Sequence, residues 1–450
     1  MNFKIKEISN DLNIDEIYRL WKDEKDTILL DSSKEDSQYS NYSFIGINKF
    51  LKFTSLGNMC FIDDEKIEGE PFKILDELIK EYKFDSDVDI PFISGAIGYL
   101  SYDIGRVLED LPNNTENDID ILDSYFLFFD NLIIKDLKKN KTYITALGIL
   151  DDPEKSINNI ELKIKSINKK EEKYLYNDSL NKFKPNFTKD EYIKALRKIK
   201  NYILEGHIYI VNMTQRFECI SKEDSFKIYS KLREINKAPF SCYMNLEDIQ
   251  VISSSPERFL NIVNRKVETR PIKGTRPRGK DAIEDNKNKV ELLNSEKDKS
   301  ELLMVVDLER NDLSKVCKIN SVKVTELFKL EEYDTVFHLV STIIGELDDG
   351  ETAVNCIKNC FPGGSITGTP KIRAMEIIEE LEKIRRGLYT GCIGYFDFRG
   401  NCDFSIVIRT IIKKDDKAYF GVGGGITIES DEEMEYQETL DKAKALMRVL

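Results

Sequence analysis

The chain has 450 residues, enough for about two domains, and its 41% hydrophobic and 33% charged residues are typical of a globular protein rather than a disordered one. Acidic residues outnumber basic residues by 81 to 67, and the net charge of -14 argues against a nucleic acid partner. The N-terminal residues have no apolar stretch and no apolar run reaches 18 residues, so we expect a cytoplasmic protein without a membrane anchor.

The first 150 residues are predicted to alternate helices and strands and to form the first of two domains, 1–150. Runs of β-branched and aromatic residues predict strands at 28–33, 42–46 and 125–134. Residues 151–186 are rich in Lys, Glu and Asn and end next to a proline, which predicts a charged helix followed by a linker. We therefore place a domain boundary in this region.

The remaining residues, 187–450, are predicted to form a second domain. Its first helix begins after Thr188, which forms a capping box with Glu191 three residues later. Periodicity and end signals predict further helices at 281–314, 370–386 and 431–449. Alternating or β-branched runs predict strands at 250–254, 259–267, 391–398, 404–412 and 418–428. Long helices combined with hairpins indicate an α+β module.

Two of the predicted helices carry carboxylates that need an explanation. Glu301 shares an apolar helix surface, and a buried carboxylate needs a partner. Glu435, Glu438 and Lys442 follow at i, i+3 and i+7, so that the two carboxylates repel unless a cation relieves them. A solvent-exposed helix face with a Glu438–Lys442 ion pair would explain the carboxylates of the C-terminal helix, but it would not explain Glu301. One Mg²⁺ bound by Glu301 and Glu438 would explain both, because magnesium takes few carboxylates together with water and substrate oxygens.

Two glycine-rich segments are candidates for binding an anion. Gly363 and Gly368 have the spacing of a phosphate loop, but Thr-Pro follows where Lys-Ser/Thr is required, so nucleotide hydrolysis is not predicted. Gly423, Gly424 and Gly425 follow one another in a predicted strand. They indicate either a bulge or a close approach of the backbone amides to an anionic ligand.

The cationic segment 269–279 carries a lysine, Lys273, directly before a glycine. An ordinary basic turn is one interpretation of this segment. The other is a nucleophilic lysine, and such a group must be neutral, which requires a pKa lowered from about 10.4 to about 7. Burial together with neighbouring cations lowers the pKa of an amine in this way.

Several segments together resemble the chorismate-utilising enzyme family, which includes anthranilate, isochorismate, salicylate and aminodeoxychorismate synthases. The resemblance runs in order through 271–278, 301–312, 361–374, 394–396, 408–410 and 435–439. Residues 29–46 and 95–103 are similar to the N-terminal part of the anthranilate and aminodeoxychorismate synthases. The resemblance implies an α+β fold, a layered sandwich of two antiparallel β-sheets flanked by helices.

One position separates the branches of this family. Anthranilate synthases typically have Ala where this chain has Lys273, whereas aminodeoxychorismate synthases commonly have Lys. The resemblance therefore implies conversion of chorismate and ammonia to 4-amino-4-deoxychorismate, on the route to 4-aminobenzoate and folate. It implies that Lys273 attacks carbon 2 of chorismate while Glu257 protonates the hydroxyl that leaves carbon 4. An anthranilate synthase component I is the alternative, and a non-catalytic tryptophan-binding subunit is a more distant one.

The same resemblance implies the other site residues and the partners. It assigns Mg²⁺ to Glu301 and Glu438, with Glu435 in support. It assigns chorismate contacts to Gly274, Thr275, His338, Tyr389, Arg409, Gly423, Gly424, Gly425 and Lys442. It places a tryptophan pocket at Ser32, Pro239, Phe240 and Ser241. Because no glutaminase signature with a Cys nucleophile occurs in the chain, the implied source of ammonia is a separate glutaminase subunit or ammonia in solution.

Overall fold

The computed structural model describes residues 2–34, 41–168, 174, 176, 183–332 and 336–450. Groups of consecutive strands and single helices or helix pairs follow one another along these residues. The strands are β1 Lys4–Ile8, β2 Thr27–Asp31, β3 Tyr42–Leu56, β4 Met59–Ile62, β5 Glu65–Glu68, β6 Gly95–Leu100, β7 Ser124–Asp136, β8 Lys141–Ala146, β9 Lys184–Pro185, β10 Ile210–Ile220, β11 Phe240–Asn245, β12 Gln250–Ser255, β13 Arg258–Val263, β14 Lys266–Thr269, β15 Ile272–Pro277, β16 Lys323–Glu332, β17 Val336–Glu346, β18 Gly368–Thr369, β19 Cys392–Asp397, β20 Cys402–Ile406, β21 Thr410–Lys414 and β22 Lys417–Ile426.

The helices lie between these strands and at the C-terminal end. They are α1 Ile14–Tyr18, α2 Pro71–Glu81, α3 Gly105–Leu108, α4 Pro153–Lys165, α5 Lys189–Leu204, α6 Ser225–Ile235, α7 Ala282–Asn294, α8 Glu296–Ser314, α9 Ala353–Cys360, α10 Lys371–Leu381 and α11 Glu432–Val449. Among the helices of the described residues, none combines the length and the apolar character that a transmembrane span requires.

The strands form one continuous antiparallel network with two arms, which are joined by the long strands β3 and β7. These two strands pair along their lengths, with a register shift between Lys49 and Leu51. The first arm runs from β3 through β2, β11, β12, β21 and β22 to β10. The second arm runs from β7 through β6, β19, β20, β13 and β14 to β17, which also pairs with β15 and β16.

The two arms face each other and helices cover their outer faces. One core cluster contains Ile28 and Met244 of the first arm together with Phe129 and Ile393 of the second. The helices α1, α6 and α11 pack on the first arm, α4 packs on β1 and β8, and α2, α8 and α9 pack on the second arm. Adjacent residues of a strand enter different clusters, as Phe128 and Phe129 do, because successive side chains point to opposite faces. The predicted α+β layered sandwich is confirmed, and its antiparallel layers are joined into one sheet network instead of two separate sheets.

Several predicted elements are confirmed with altered ends. The capping box at the start of α5 is present: Thr188 Oγ1 accepts from the Glu191 N–H at 3.3 Å, and Glu191 Oε2 accepts from the Thr188 N–H at 2.9 Å. The prediction of a single helix over 281–314 is wrong, because Ser295 is extended and separates α7 from α8. Its hydroxyl accepts from the Asp298 N–H and so caps α8 instead of continuing α7.

Two other predicted elements end early because of tertiary contacts. The helix predicted over 370–386 stops at Leu381, since Glu382 is extended and its carboxylate accepts hydrogen bonds from Thr214 and Arg386. The strand predicted over 404–412 is interrupted between β20 and β21, where Arg409 has a φ of 50°. The interruption leaves Arg409 on the wall of the cavity described below.

The charged helix predicted after residue 150 is confirmed as α4, while much of the predicted linker, 169–173, 175 and 177–182, lies outside the described residues. The division into 1–150, 151–186 and 187–450 stays a prediction. Strands from both sides of it share the one sheet network, as the pairings of β2 with β11 and of β6 with β19 show.

Candidate active site

A cavity of about 550 Å³ lies where the far ends of the two arms meet. Its walls come from β15 and β17 of the second arm, β10 and β22 of the first, and the helices α8 and α11. It brings together every residue for which the sequence predicted a role in chemistry, in binding chorismate or in binding metal. These are Glu257, Lys273, Gly274, Thr275, Glu301, His338, Tyr389, Arg409, Gly423, Gly424, Gly425, Glu435, Glu438 and Lys442. Their individual roles stay predictions.

Lys273 extends from β15 into this cavity. Its Nζ donates a hydrogen bond to the backbone carbonyl of Ser365 at 2.9 Å. The strand β15 has a register shift between Lys273 and Thr275, and the intervening Gly274 has a φ of 70°, a conformation that favours glycine. This local irregularity directs the lysine amine toward the glycine strand β22, where it lies 3.5 Å from the position that a Cβ on Gly425 would take.

Glu257 is a buried carboxyl in the same cavity, with 6% of its surface exposed. Burial raises its pKa, because the charged form loses its hydration. The adjacent Ser365 hydroxyl, the Lys273 ammonium and the Ile272 N–H act in the opposite direction without cancelling the effect of burial. A carboxyl with a raised pKa keeps its proton closer to neutral pH, which suits a general acid.

Three carboxylates also line this cavity, and each lies beside a lysine. Lys297 Nζ donates to Glu435 Oε1 at 3.0 Å and lies 3.9 Å from Glu301 Oε1. Lys442 Nζ is 2.7 Å from Glu438 Oε1. Burial raises the pKa of Glu301 to about 7. At Glu438 burial acts in the same direction, but the charge and hydrogen bond of Lys442, together with the charges of Lys297 and Lys273, outweigh it, so that the pKa of Glu438 is lowered. The ion pair predicted from the sequence between Glu438 and Lys442 is therefore present.

The glycines of β22 keep open the space in front of these carboxylates. A Cβ on Gly424 would lie 3.3 Å from Glu435 Oε2 and 3.8 Å from Glu438 Oε1, and one on Gly425 would lie 3.4 Å from Glu301 Oε2. Side chains at these two positions would fill the gap. Within the described part of the chain, no group of three or more His, Cys, Asp or Glu side chains is arranged to hold a metal ion by itself. An open, oxygen-only set of this kind fits Mg²⁺, which keeps water and substrate oxygens among its ligands.

His338 and Arg409 form a further wall of the cavity. Burial, followed by the charge of Arg409, lowers the pKa of His338 to about 3, so the imidazole is neutral. Its Nδ1 is 3.0 Å from Thr275 Oγ1, on the strand that carries Lys273. Arg409 donates a hydrogen bond to Asn236 Oδ1 at 3.3 Å and also lines the cavity. These groups offer neutral and cationic donors to an anionic ligand.

The cavity also contains polar residues for which the sequence predicted no role in the site, among them Asn212, Lys297 and Ser365. The i, i+4 spacing of Lys297 and Glu301 on α8 is a signal that could have identified the lysine. Asn212 and Ser365 come from distant segments, and only the folded chain brings them to Lys273.

The four residues predicted to bind tryptophan lie in a separate cavity of about 330 Å³. Ser32 Oγ donates to the Pro239 carbonyl at 3.0 Å, and β2 is paired with β11, which brings Ser241 and Phe240 to the same wall. Arg258 also lines this cavity, and its neighbour in sequence, Glu257, lines the first one. The structure thus assembles the predicted pocket, and its ligand stays a prediction.

Comparisons with known proteins agree with this arrangement. A family profile described as "chorismate binding enzyme" matches residues 25–448. Aminodeoxychorismate synthase component 1 of Escherichia coli is 37% identical over 94% of this chain and 93% of its own length. Anthranilate synthase component 1 of Acetivibrio thermocellus is 36% identical over 96% and 92%. The crystal structure of anthranilate synthase component I from Streptococcus pneumoniae superposes with a TM-score of 0.82 at 31% identity, covering 92% of this chain and 93% of that chain. The chain belongs to the family of chorismate binding enzymes, as a chorismate-utilising enzyme of the aminodeoxychorismate and anthranilate synthase component 1 type.

Proposed function

We propose that the chain is component 1 of an aminodeoxychorismate synthase, which converts chorismate and ammonia to 4-amino-4-deoxychorismate for the synthesis of 4-aminobenzoate and folate in the cytoplasm. The observation that carries this proposal is the Lys273 amine, held in the cavity by the Ser365 carbonyl and next to the buried carboxyl of Glu257. Aliphatic side chains at position 273 could position a substrate but could not bond to it, whereas an amine is a nucleophile.

In the proposed reaction, Lys273 and Glu257 act on opposite ends of one rearrangement. The neutral lysine amine forms a bond to carbon 2 of chorismate, the ring double bonds shift, and the bond from carbon 4 to its hydroxyl breaks. Glu257 supplies the proton with which that hydroxyl leaves as water. Ammonia then forms a bond to carbon 4, the double bonds shift back, and the lysine leaves carbon 2 as a neutral amine. The new ammonium group returns one proton to Glu257, so that both side chains regain their initial states.

The cavity offers donors that fit the two carboxylates of chorismate. Arg409 has the planar fork that binds a carboxylate with two hydrogen bonds. The backbone of Gly423, Gly424 and Gly425 and the Tyr389 side chain line the same space. His338, being neutral, donates from one ring nitrogen only, and Thr275 Oγ1 lies against its Nδ1.

We also propose that Glu301 and Glu438 hold Mg²⁺, with Glu435 in support. When bound, the ion would neutralise a substrate carboxylate that enters among these acidic groups. The ammonium groups of Lys297 and Lys442 balance part of the negative charge of the three glutamates, and a bound Mg²⁺ would balance more of it.

Ammonia is proposed to come from a glutaminase partner or from solution. All eight cysteines of the sequence lie among the described residues as buried thiols, so none is accessible for attack on glutamine. The relatives named component 1 have names that imply a second component. The chain alone should therefore use ammonium salts, preferably at high pH, and should use glutamine only when a glutaminase subunit is added. Efficient glutamine hydrolysis by the isolated chain would contradict this division of labour.

One assay tests the main proposal against its alternative. Chorismate, Mg²⁺ and an ammonium salt are incubated with the chain, and the products are separated by chromatography. We expect 4-amino-4-deoxychorismate as the main product. Anthranilate as the main product would assign the chain to the other branch, which the 36% identical anthranilate synthase relative keeps as the second candidate.

A further inference from the structure

Two buried polar atoms in the active-site cavity lack hydrogen-bond partners among the residues that the structure describes. They are Asn212 Oδ1 and Ser365 Oγ, on side chains that are 8% and 5% exposed. Buried polar atoms are nearly always hydrogen-bonded, since leaving one unpaired costs about 1–3 kcal/mol. Because both residues line the cavity, a small ligand that donates hydrogen bonds would satisfy them.

The backbone around both residues is firmly held. The Asn212 N–H donates to the Thr367 carbonyl at 2.7 Å. Arg386 is buried and donates to the carbonyls of Asn212 and Ile366, at 2.6 and 2.9 Å. The main chain of Asn212 is thus tied to the loop that contains Ser365 both directly, through Thr367, and through Arg386. The side chains of Asn212 and Ser365 remain available to a ligand.

Both side chains lie close to the reacting groups. Asn212 is paired with Gly425 across β10 and β22, and directly opposite residues share one face of a sheet. On that face, the Cβ position of Gly425 is 3.5 Å from Lys273 Nζ. Ser365 accepts from the same Nζ through its carbonyl, and its hydroxyl is near enough to Glu257 to affect that carboxyl.

We infer that Asn212 and Ser365 hold the ammonia molecule that attacks carbon 4, an inference that rests on the proposed function. Ammonia has three N–H donors and one lone pair, so two acceptors can orient it while the lone pair faces the carbon. The attack must occur where the hydroxyl has left, which is next to Glu257. When the carbon–nitrogen bond forms, the lysine leaves carbon 2 with the electron pair of its own bond, and the surplus proton on the new nitrogen passes to the Glu257 carboxylate.

Two single variants test this assignment. Ser365→Ala removes only one oxygen, and Asn212→Leu replaces the amide with an apolar group of similar size. For each variant we expect the Michaelis constant for ammonia to rise about tenfold, which corresponds to about 1.4 kcal/mol. The Michaelis constant for chorismate should stay within about twofold of the wild type. Gln215→Met is the matched control, because Gln215 Oε1 is another unpartnered buried amide oxygen on β10 but does not line this cavity; its Michaelis constant for ammonia should not change.

The possible outcomes separate the inference from the proposed function. The product of the wild-type chain tests the function, whereas the change in the two Michaelis constants tests the ammonia site. A parallel rise in both constants would mean that Asn212 and Ser365 bind chorismate, and unchanged constants would mean that they bind neither substrate. Either result overturns the inference. If Asn212→Leu fails to fold, its circular dichroism spectrum will show this. The Michaelis constants of Ser365→Ala, which is the smaller substitution, then decide whether the inference holds.

Discussion

Replacing the buried Glu309 with Gln should stabilise the protein at alkaline pH and change its stability much less at acidic pH. Glu309 lies on α8, 9% exposed, with Oε2 at 2.9 Å from Thr269 Oγ1. The Thr269 hydroxyl is also 2.7 Å from the Phe259 carbonyl, which only accepts. Since threonine has one hydroxyl proton, both contacts are satisfied when Glu309 is a neutral acid that donates to Thr269. A glutamine side chain at this position would donate in the same way through its amide.

The size of the effect follows from the pKa of Glu309. Burial raises this pKa from the ordinary 4.5 to about 8. A hydroxyl proton that Thr269 donates to the charged carboxylate opposes the rise, as does the charge of Lys371, whereas the charges of Glu257 and Asp312 add to it. Between these two values the unfolded chain has lost a proton that the folded chain still holds, so stability falls as pH rises, and it is constant again above about pH 8. At about 1.36 kcal/mol for each pH unit, the loss between pH 5.5 and 8.5 is about 3 kcal/mol, and the Gln variant does not suffer it.

Urea unfolding of the wild type and the variant at pH 5.5 and pH 8.5, at equal ionic strength, measures this effect. The difference in unfolding free energy should change by about 3 kcal/mol in favour of Glu309→Gln at the higher pH. All other titrating groups are common to both proteins and cancel in the comparison. Asp307→Asn, an exposed position on the same helix, should show no such change. A Glu309→Gln difference that is equal at both pH values would refute the assignment of a buried neutral acid.

Three further predictions concern the active site. Lys273→Ala should reduce formation of the 4-amino product by at least about a hundredfold while chorismate still binds in calorimetry; near-normal turnover would exclude a covalent lysine mechanism. Glu301→Gln and Glu438→Gln should each raise the Mg²⁺ concentration needed for half-maximal activity by about tenfold or more without changing the circular dichroism spectrum, and an unchanged Mg²⁺ dependence would show that the metal lies elsewhere. His338 should remain neutral from pH 5 to 8, because its pKa is lowered to about 3; in NMR spectra of the chain, which contains only one other histidine, His207, a titration of the His338 signals within that range would contradict its burial beside Arg409.

Much of the local structure was predictable because its causes are local. The capping box of Thr188 and Glu191 depends on residues three positions apart, and the apolar spacing of α5 was readable without knowing its neighbours. Predictions were wrong where a distant group competed with local preference. Glu382 leaves the helical conformation to bind Thr214 and Arg386, which no periodicity could indicate.

For the active site, the sequence by itself determined which chemical groups are available: the Lys273 amine, the carboxyls of Glu257, Glu301 and Glu438, and a run of glycines. Their spacing in the sequence could not determine whether they meet in space, because some of them lie more than a hundred residues apart. Only the tertiary structure decided this, by closing two arms of one sheet so that β15 faces β22. It also decided which groups are buried, and burial sets their pKa values, because the cost of removing a charge from water depends on the surrounding atoms and not on the neighbours in sequence.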